Sequence, residues 1–431
     1  MKRLAISVFA MAMFQTVNLA LGLMLLLAAS LSSAQADGAA PHYIVRELGS
    51  LGGTVGRSNG VNDRGWVSGW SNLTGDTNHH AVLWLDGRPF DLGTLGGPNS
   101  EIEFTATNDF GLLAGGSDTA NIDPYDENFC FFTATDNHLC SAFQWQNGVM
   151  SALPGLGGNN TYATDSNRFG DIVGWAETAV LDPNCLAPQV FDWHGALWKD
   201  GKVQDLPPLP GDVGSAAMAI NDLDVAAGGG GPICGSAGVL GFALSTHVLI
   251  WRNGSPISLG SPLGGQFNNV ATGINNRGQV AGMSDLPGDA TAHAFLWQDG
   301  VVRDLGTLAG DVFSVAWEVS ERGQVLGQSC DANGNCRGFL WQNGVMTDLN
   351  ALISAESPLM LIDANDINAA GEITGQAYDP VTGEMPAIEL IPCTQTDDPE
   401  CGAERRVSVP VTLPQEVRDT LRTRWVHFKK G

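Results

Sequence analysis

One short motif, Asn-x-x-Gly-x-Val-x-Gly, recurs along this chain and restricts the folds that it can adopt. The clearest copy spans residues 275–282, and a degraded copy begins at Asn221, where Asp224 replaces the first glycine. The other copies span residues 62–69, 108–115, 167–174, 320–327 and 368–375. A unit this short cannot bury a hydrophobic face alone, so the copies must stack against one another to form a core.

Two further motifs follow the first one in most units. One is His-Ala-Phe-x-Trp, as at residues 293–297, and the other is Asp-Leu-Gly-Thr-Leu, as at residues 91–95 and 304–308. The repeated tryptophans are Trp84, Trp145, Trp198, Trp251, Trp297 and Trp341, spaced by 44 to 61 residues. Repeats of this length that are built from short strands are typical of β-propeller blades.

Each unit is consistent with four short strands, labelled A to D from the axis of a propeller outwards. In the fifth unit these are residues 270–274, 279–282, 294–297 and 301–305. Residues 275–278 and the pair Asp299-Gly300 are predicted to be tight turns, because Asn, Asp and Gly tolerate a positive φ angle. The repeat region has no sustained helical period. The sequence therefore predicts an all-β fold, a seven-bladed propeller of four-stranded blades.

The two ends of the repeat region complement each other. The seventh unit has its strand C at residues 387–391 but no strand D, whereas residues 43–48 resemble a strand D without a blade. We therefore expect the N-terminal strand to complete the last blade, which an open solenoid or a parallel β-helix does not explain. The predicted domain is residues 41–392. The tail, residues 393–431, contains a possible short helix at 414–425, and whether that helix docks is left open.

The N-terminus has the features of an export signal. Lys2 and Arg3 precede an apolar stretch, and the small-x-small sequence at residues 34–36 precedes Asp37. This pattern predicts a signal peptide at residues 1–36, with an uncleaved anchor as the alternative. We expect a secreted protein, extracellular or periplasmic, that has no membrane span after cleavage.

Eight cysteines in an exported chain indicate disulfide bonds rather than a zinc or redox site. Proximity along the chain favours the pairs Cys130–Cys140, Cys330–Cys336 and Cys393–Cys401, which leaves Cys185–Cys234. The net charge of −25 makes nucleic acid an improbable partner, because an acidic surface repels phosphate groups. We expect a monomer.

The three motifs together resemble those of the extracellular HAF-repeat family, over roughly residues 47–349. That resemblance implies export and a propeller-like architecture. It implies no established biochemical role.

Function is expected where loops vary in length on one rigid face. The longest predicted connections join strands B and C of units 2 to 4, at residues 117–140, 176–194 and 228–246. Trp70, Trp175 and Trp193 lie in or beside them and could present their rings to a sugar or an apolar partner, with packing between blades as the alternative. Asp118, Asp123 and Asp126, with Glu127 and Asp136, could bind calcium or supply a carboxylate pair for glycoside chemistry, and a solvated acidic loop is the alternative.

The leading hypothesis is a non-enzymatic binding propeller that uses its B–C loop face for a glycan or an extracellular or envelope protein. No catalytic residue is assigned, and no cofactor other than calcium is considered. A secreted glycan-active hydrolase or lyase, with carboxylates on that face, is one alternative. A structural surface protein is the other.

Overall fold

The computed structural model describes residues 41–425 apart from 131, 133–136, 235–244, 396–398 and 408–410. In this part of the chain, seven four-stranded antiparallel sheets form the blades, which confirms the predicted seven-bladed β-propeller. Strand A is innermost, because the A strands of blades 3 to 7 and of blade 1 contact one another in succession. The predicted signal peptide, residues 1–36, lies outside the described residues.

The strands A to D of blade 1 are Gly52–Val61, Val67–Leu73, His79–Leu85 and Arg88–Asp91. Those of blade 2 are Gly96–Glu101, Leu113–Ile122, His138–Gln146 and Val149–Ala152. Those of blade 3 are Gly157–Ser166, Ile172–Leu181, Phe191–Lys199 and Lys202–Leu206. Blade 4 has Gly214–Ile220, Val225–Gly231, His247–Arg252 and Ser255–Gly260. Blade 5 has Val270–Ile274, Val280–Asp285, Ala292–Gln298 and Val301–Gly306. Blade 6 has Phe313–Val319, Val325–Cys330, Cys336–Gln342 and Val345–Asp348. Blade 7 combines Met360–Ile367, Ile373–Tyr378 and Ala387–Pro392 with Tyr43–Glu47.

The N-terminal strand supplies the fourth strand of blade 7, as the sequence predicts. It runs antiparallel to Ala387–Pro392, with Tyr43 opposite Pro392 and Glu47 opposite Ile388. Arg46 Nη1 and Glu389 Oε2, 3.1 Å apart, form an ion pair across the same two strands. The two ends of the repeat region are thus held in one sheet by main-chain hydrogen bonds, and the ring is closed.

The repeated tryptophans of strand C belong to the blade cores. Trp84 and Trp251 are each 1% exposed. The indole Nε1 of Trp84 donates a hydrogen bond to the carbonyl of Gly49 at 2.7 Å, and that of Trp251 donates to Pro207 at 2.8 Å. Each acceptor lies in the connection that enters the same blade. A buried indole needs such a partner, so the repeated tryptophan fixes that connection against strand C.

The A–B turns are linked into a ring by asparagine side chains. Asn62 Nδ2 donates to the carbonyl of Asn108 at 3.0 Å, and Asn368 Nδ2 donates to that of Asn62, also at 3.0 Å. The same bond to the next blade is made by Asn108, Asn167, Asn221 and Asn275. In blade 6 the residue is Ser320, which makes no such bond to the described part of blade 7. The side chain of the first residue in the repeat motif therefore links each A–B turn to the turn of the next blade.

All four predicted disulfide pairs are present: Cys130–Cys140, Cys185–Cys234, Cys330–Cys336 and Cys393–Cys401. The second one joins the B–C connection of blade 3 to that of blade 4. No free cysteine is found in the described residues.

The tail after blade 7 contains the 3₁₀ turns Cys393–Gln395 and Pro399–Gly402 and the helix Gln415–Trp425. A further 3₁₀ turn, Leu349–Leu352, follows blade 6. The helix docks through Val417 and Leu421, which pack with the Cys330–Cys336 disulfide of blade 6 and with blade 7. Among the described residues, no helix combines the length and the apolar character needed to cross a membrane.

Candidate functional site

The B–C connections of blades 2 and 3 pack against each other. Tyr125 meets Phe191 edge to face with ring centroids 5.1 Å apart, and Phe129 meets Trp193 at 5.4 Å. The main-chain N–H of Val190 donates to Glu127 Oε1 at 2.8 Å. The described parts of these two connections therefore hold each other in place.

The three tryptophans considered for ligand binding are buried at this end. Trp70 is 9% exposed, and its Nε1 donates to Glu103 Oε2 at 2.6 Å. Trp175 is 3% exposed and stacks on Tyr162 with centroids 4.9 Å apart, while Trp193 is 4% exposed. Their burial is what packing between blades, the alternative named for these residues, would require. None presents a ring face to solvent.

An aromatic cluster also lies near the propeller axis at the B–C end. Phe129, from the long connection of blade 2, packs in one cluster with Tyr162, Trp175, Met218 and Trp317. Three of these residues come from A strands, which are innermost and begin at this end of the propeller. A ligand that approaches along the axis from the B–C face would therefore meet packed side chains.

The acids predicted for calcium or glycoside chemistry do not form one group. Asp118 is fully buried, and its Oδ2 accepts hydrogen bonds from the main-chain N and the Nδ2 of Asn99. Asp126 is exposed, with a φ angle of 59°. Asp123 is 3% exposed and accepts from Asn160 Nδ2 at 3.0 Å. Asp136 lies outside the described residues.

Asp123 and Glu127 instead meet Glu177 of blade 3, which the sequence did not single out. Gln189 Nε2 donates to both glutamates, to Glu127 Oε1 at 3.1 Å and to Glu177 Oε1 at 2.7 Å. Burial, and then the nearby Glu177 carboxylate, raise the pKa of Glu127 to about 8. Glu127 and Glu177 are at most 1% exposed, so they are not accessible to a glycan in this conformation.

Within the residues that the structure describes, one group of metal-ligating residue types is compact enough to surround an ion. Asp182, Cys185, Asp192 and Cys234 place one potential ligand atom each within 4.8 Å of the others. Both cysteines are joined in a disulfide, which removes the thiolates that a transition metal would bind. Two partly exposed carboxylates remain, so this group is explained by the disulfide bond that joins the two loops.

A funnel opens on the opposite face, inside the ring of A–B turns. Its cavity volume is about 330 Å³, within the range of small-molecule sites. We call the first residue of each repeat motif, an asparagine or Ser320, the ring position. The mouth is lined by the turn residues that directly follow the ring positions, including Asp63, Asp109, Arg168, Asp222 and Glu321. Deeper, the residues that directly precede the asparagines of the ring form a mostly aliphatic collar: Val61, Thr107, Ser166, Ile220, Ile274 and Ile367.

Three acids lie in A strands one residue before the position that the collar residues occupy. They are Asp165 of blade 3, Glu318 of blade 6 and Asp366 of blade 7. Asp165 is 9% exposed, and the other two are half-buried. Asp165 Oδ2 accepts from the N–H of Ile220 at 2.8 Å, and Asp366 Oδ2 accepts from that of Val61, also at 2.8 Å.

These three carboxyl groups repel one another electrostatically, and within the described residues none of them forms an ion pair with a basic side chain. Desolvation by burial raises the pKa of Asp165 to about 6 and that of Asp366 to about 7. Burial, and then the charges of Asp366 and Asp165, raise the pKa of Glu318 well above its ordinary value. Perturbed acids beside a cavity are candidates for a functional site.

The hydroxyl of Ser166 is a second and independent feature of the same place. Ser166 lines the funnel, is 9% exposed, and its Oγ has no hydrogen-bond partner among the described residues. A buried polar atom without a partner costs free energy, so a ligand in the funnel that formed a hydrogen bond with this hydroxyl would be favoured.

A departure from the repeat marks the acid group in the sequence. The residue two places before the ring position is Gly60, Ala106, Ala219 or Gly273 in blades 1, 2, 4 and 5, and Asp165, Glu318 or Asp366 in blades 3, 6 and 7. Small residues suit a crowded axis, whereas carboxylates there are costly. Aligning the seven units on their ring position would have revealed these acids.

Comparison with known proteins finds resemblance only to solved structures. No protein-family model matches the chain, and no curated protein matches it by sequence. A puromycin-hydrolysing peptidase of Mycobacterium tuberculosis is 13% identical with a TM-score of 0.42, over 81% of this chain and 56% of that one. A gluconolactonase of Xanthomonas campestris is 13% identical with a TM-score of 0.31, over 83% and 95% of the two chains. A mutant of AofleA from Arthrobotrys oligospora is 10% identical with a TM-score of 0.35, over 73% and 91%.

The chain thus spans little more than half of the peptidase. At this identity and these TM-scores, the matches carry no argument about activity or ligand.

Proposed function

We propose that this protein is a non-enzymatic binding propeller that receives a positively charged ligand in the funnel of its A–B face. The observation that supports this function is the group of Asp165, Glu318 and Asp366 beneath the funnel, which forms no ion pair with a basic side chain in the part of the chain that the structure describes. Such carboxyl groups must hold protons or meet a cation to be stable. A cationic ligand that enters from the A–B face would supply that charge.

The wall of the funnel favours an organic cation with an alkyl stem. Val61, Ile220, Ile274 and Ile367 surround the passage above the acids. Methylene groups would contact this collar while an ammonium group reached the carboxylates and the Ser166 hydroxyl. The ligand class is therefore a primary alkylammonium.

The alternative of a glycan-active hydrolase or lyase has weaker support. The carboxylates of Asp123, Glu127 and Glu177 have the close spacing and, for Glu127, the raised pKa that acid catalysis uses. Their burial keeps a sugar away from them. Binding of a glycan or an envelope protein at the B–C face remains a prediction, and the buried tryptophans do not add to it.

An extracellular or periplasmic location forms part of the proposal. The four disulfide bonds are consistent with it. The resemblance to the HAF-repeat family also agrees with it, but that resemblance depends on the sequence motifs alone.

Calorimetric titration of the chain from Asp37 with butane-1,4-diamine at pH 8 tests the function. We expect saturable binding that weakens with added salt and on acidification below pH 6, because protonated carboxyl groups attract no ammonium. The double variant Glu318→Gln with Asp366→Asn should bind at least about tenfold more weakly. Asp126→Asn, in an exposed loop at the other end, is the matched control.

Butan-1-ol, which has the same alkyl stem without the charge, should not bind. The proposed function is wrong if the diamine does not bind at millimolar concentration, or if the double variant binds it as well as the parent does.

A further inference from the structure

The tips of the A–B turns divide the rim of the funnel into two unlike halves. The third residue of the turn is Phe110, Phe169 and Leu223 in blades 2, 3 and 4, and these side chains are 63%, 64% and 67% exposed. The same position holds Arg64, Arg277 and Arg322 in blades 1, 5 and 6, and Ala370 in blade 7. The turn itself therefore does not require an apolar residue.

The apolar half borders the funnel directly. Asp109, Arg168 and Asp222, each next to one of the three apolar tips, line its mouth. We call the three apolar tips, Phe110, Phe169 and Leu223, the apolar arc. The guanidinium of Arg168 lies 4.9 Å from the ring centre of Phe169, so a charged contact covers part of this arc. Three adjacent blades present large apolar side chains that the fold does not use, and such exposed patches mark interaction sites.

A small amine would occupy the funnel without touching these tips. We infer that the ligand of the funnel is a lysine side chain presented by a protein, and that Phe110, Phe169 and Leu223 receive apolar residues beside that lysine. The inference rests on the proposed function, since the lysine ammonium is the cation that the acid group binds. The acid group favours the charge of the lysine ammonium, and the three apolar tips favour apolar side chains next to that lysine.

The arrangement resembles the usual anatomy of a protein interface. A central pocket with a strong charge preference is flanked by apolar contacts, and the pocket excludes water once the contacts close. The arginine tips on the other half of the rim would repel additional basic residues. The partner segment therefore carries one lysine, apolar residues on one side, and no further positive charge on the other.

Two synthetic peptides and one amine separate this inference from the function beneath it. The probes are acetyl-Leu-Leu-Lys-Leu-amide, acetyl-Ser-Ser-Lys-Ser-amide and butane-1,4-diamine, each titrated into the same chain. We expect the leucine peptide to bind at least about tenfold more tightly than the serine peptide, because it alone buries apolar surface on the arc.

The variant Phe110→Ser with Phe169→Ser and Leu223→Ser should abolish that tenfold preference and leave the binding of the diamine unchanged. The matched control replaces Val149, Val301 and Val345 by serine. These residues are 64%, 69% and 61% exposed and begin strand D at the outer edge of their blades, away from the funnel. This control should keep the preference.

If the diamine binds and the two peptides bind equally, the inference is overturned and the proposed function stands. If neither the diamine nor a peptide binds, both fail. If the control variant loses the preference as fully as the arc variant, the contact is not at the arc, and the inference is again overturned.

Discussion

Glu127 of the long B–C connection in blade 2 and Glu177 of strand B in blade 3 share one amide donor, the Nε2 of Gln189. Both carboxyl groups are buried, and neither forms an ion pair with a basic side chain of the described residues. Burial, and then the charge of Glu177, raise the pKa of Glu127 to about 8, so one of the two groups keeps its proton at neutral pH. The contact therefore couples loop docking to pH.

Substitution of Glu127 by glutamine tests that coupling. Below pH 4.5 the group is protonated in the folded and the unfolded chain alike, so it adds no pH dependence. Between pH 4.5 and 8 the unfolded chain loses the proton first, so this carboxyl lowers the stability of the folded state as the pH rises. Glutamine keeps a donor and an acceptor and carries no charge.

We therefore expect Glu127→Gln to melt at least about 2 °C higher than the parent at pH 8.5, with the advantage lost at pH 5. Thermal unfolding across this range measures it. Asp126→Asn, next along the chain but exposed, should show no such trend. An advantage that is the same at every pH would contradict the shared-proton explanation.

The asparagine ring predicts a stabilising substitution. Ser320 stands where the other blades have asparagine, and it gives no hydrogen bond to the next described turn. Ser320→Asn should supply the missing bond to Asn368 and raise the free energy of unfolding by about 1 kcal/mol. Asn221→Ala, which removes the 3.0 Å bond to Asn275, should lower it by a similar amount. Denaturant unfolding measures the free energy of unfolding of both variants. If both variants change it in the same direction, the asparagine side chains do not stabilise the ring as inferred.

Closure of the propeller by its first strand predicts a large loss on deletion. Removal of residues 42–48 would leave strand C of blade 7 without its partner Tyr43–Glu47. We expect the whole propeller to lose stability, because its sheets pack in a continuous ring. Arg46→Ala, which removes only a half-exposed ion pair, should cost less than about 1 kcal/mol. An unchanged melting temperature for the deletion would mean that the ring does not need this strand.

The disulfide between neighbouring blades should matter more than the local one. Cys185–Cys234 closes a loop of 49 residues, whereas Cys330–Cys336 closes one of 6. Replacing both cysteines of the longer loop by serine should cost about 3–4 kcal/mol, and the change at the shorter loop should cost less. Unfolding of both double variants under non-reducing conditions shows which disulfide contributes more to the free energy of unfolding. The reverse order would show that the short loop carries native contacts beyond its cross-link.

The parts of the fold that local signals determine were predictable from the sequence. The turn residues 275–278 recur with the same φ requirement in the other units, and Asp224, which replaces glycine in the degraded copy, has the expected positive φ of 58°. The docking of the helix Gln415–Trp425 was left open, because its partners in blades 6 and 7 are distant in the chain.

The site was less predictable, because it depends on how blades meet. Glu127 and Glu177 are brought together by two loops whose packing no local pattern determines. The acid group beneath the funnel draws its members from blades 3, 6 and 7, so its three carboxylates are neighbours only after the ring has closed. Loop length pointed to the B–C face, yet the described parts of the blade 2 and blade 3 loops pack against each other.

The C-terminal helix lies across one particular boundary of the propeller. Between blades 6 and 7 the asparagine ring lacks its bond from Ser320, and Ala369 has no side-chain oxygen to receive a bond like the one that Glu321 receives from Asn276. At the opposite face of that boundary, Val417 and Leu421 pack on Cys330 of blade 6 and Met385 of blade 7. The helix thus bridges a boundary that lacks two of the side-chain bonds linking the other turns, and a chain cut before Gln415 would lose this bridge between blades 6 and 7.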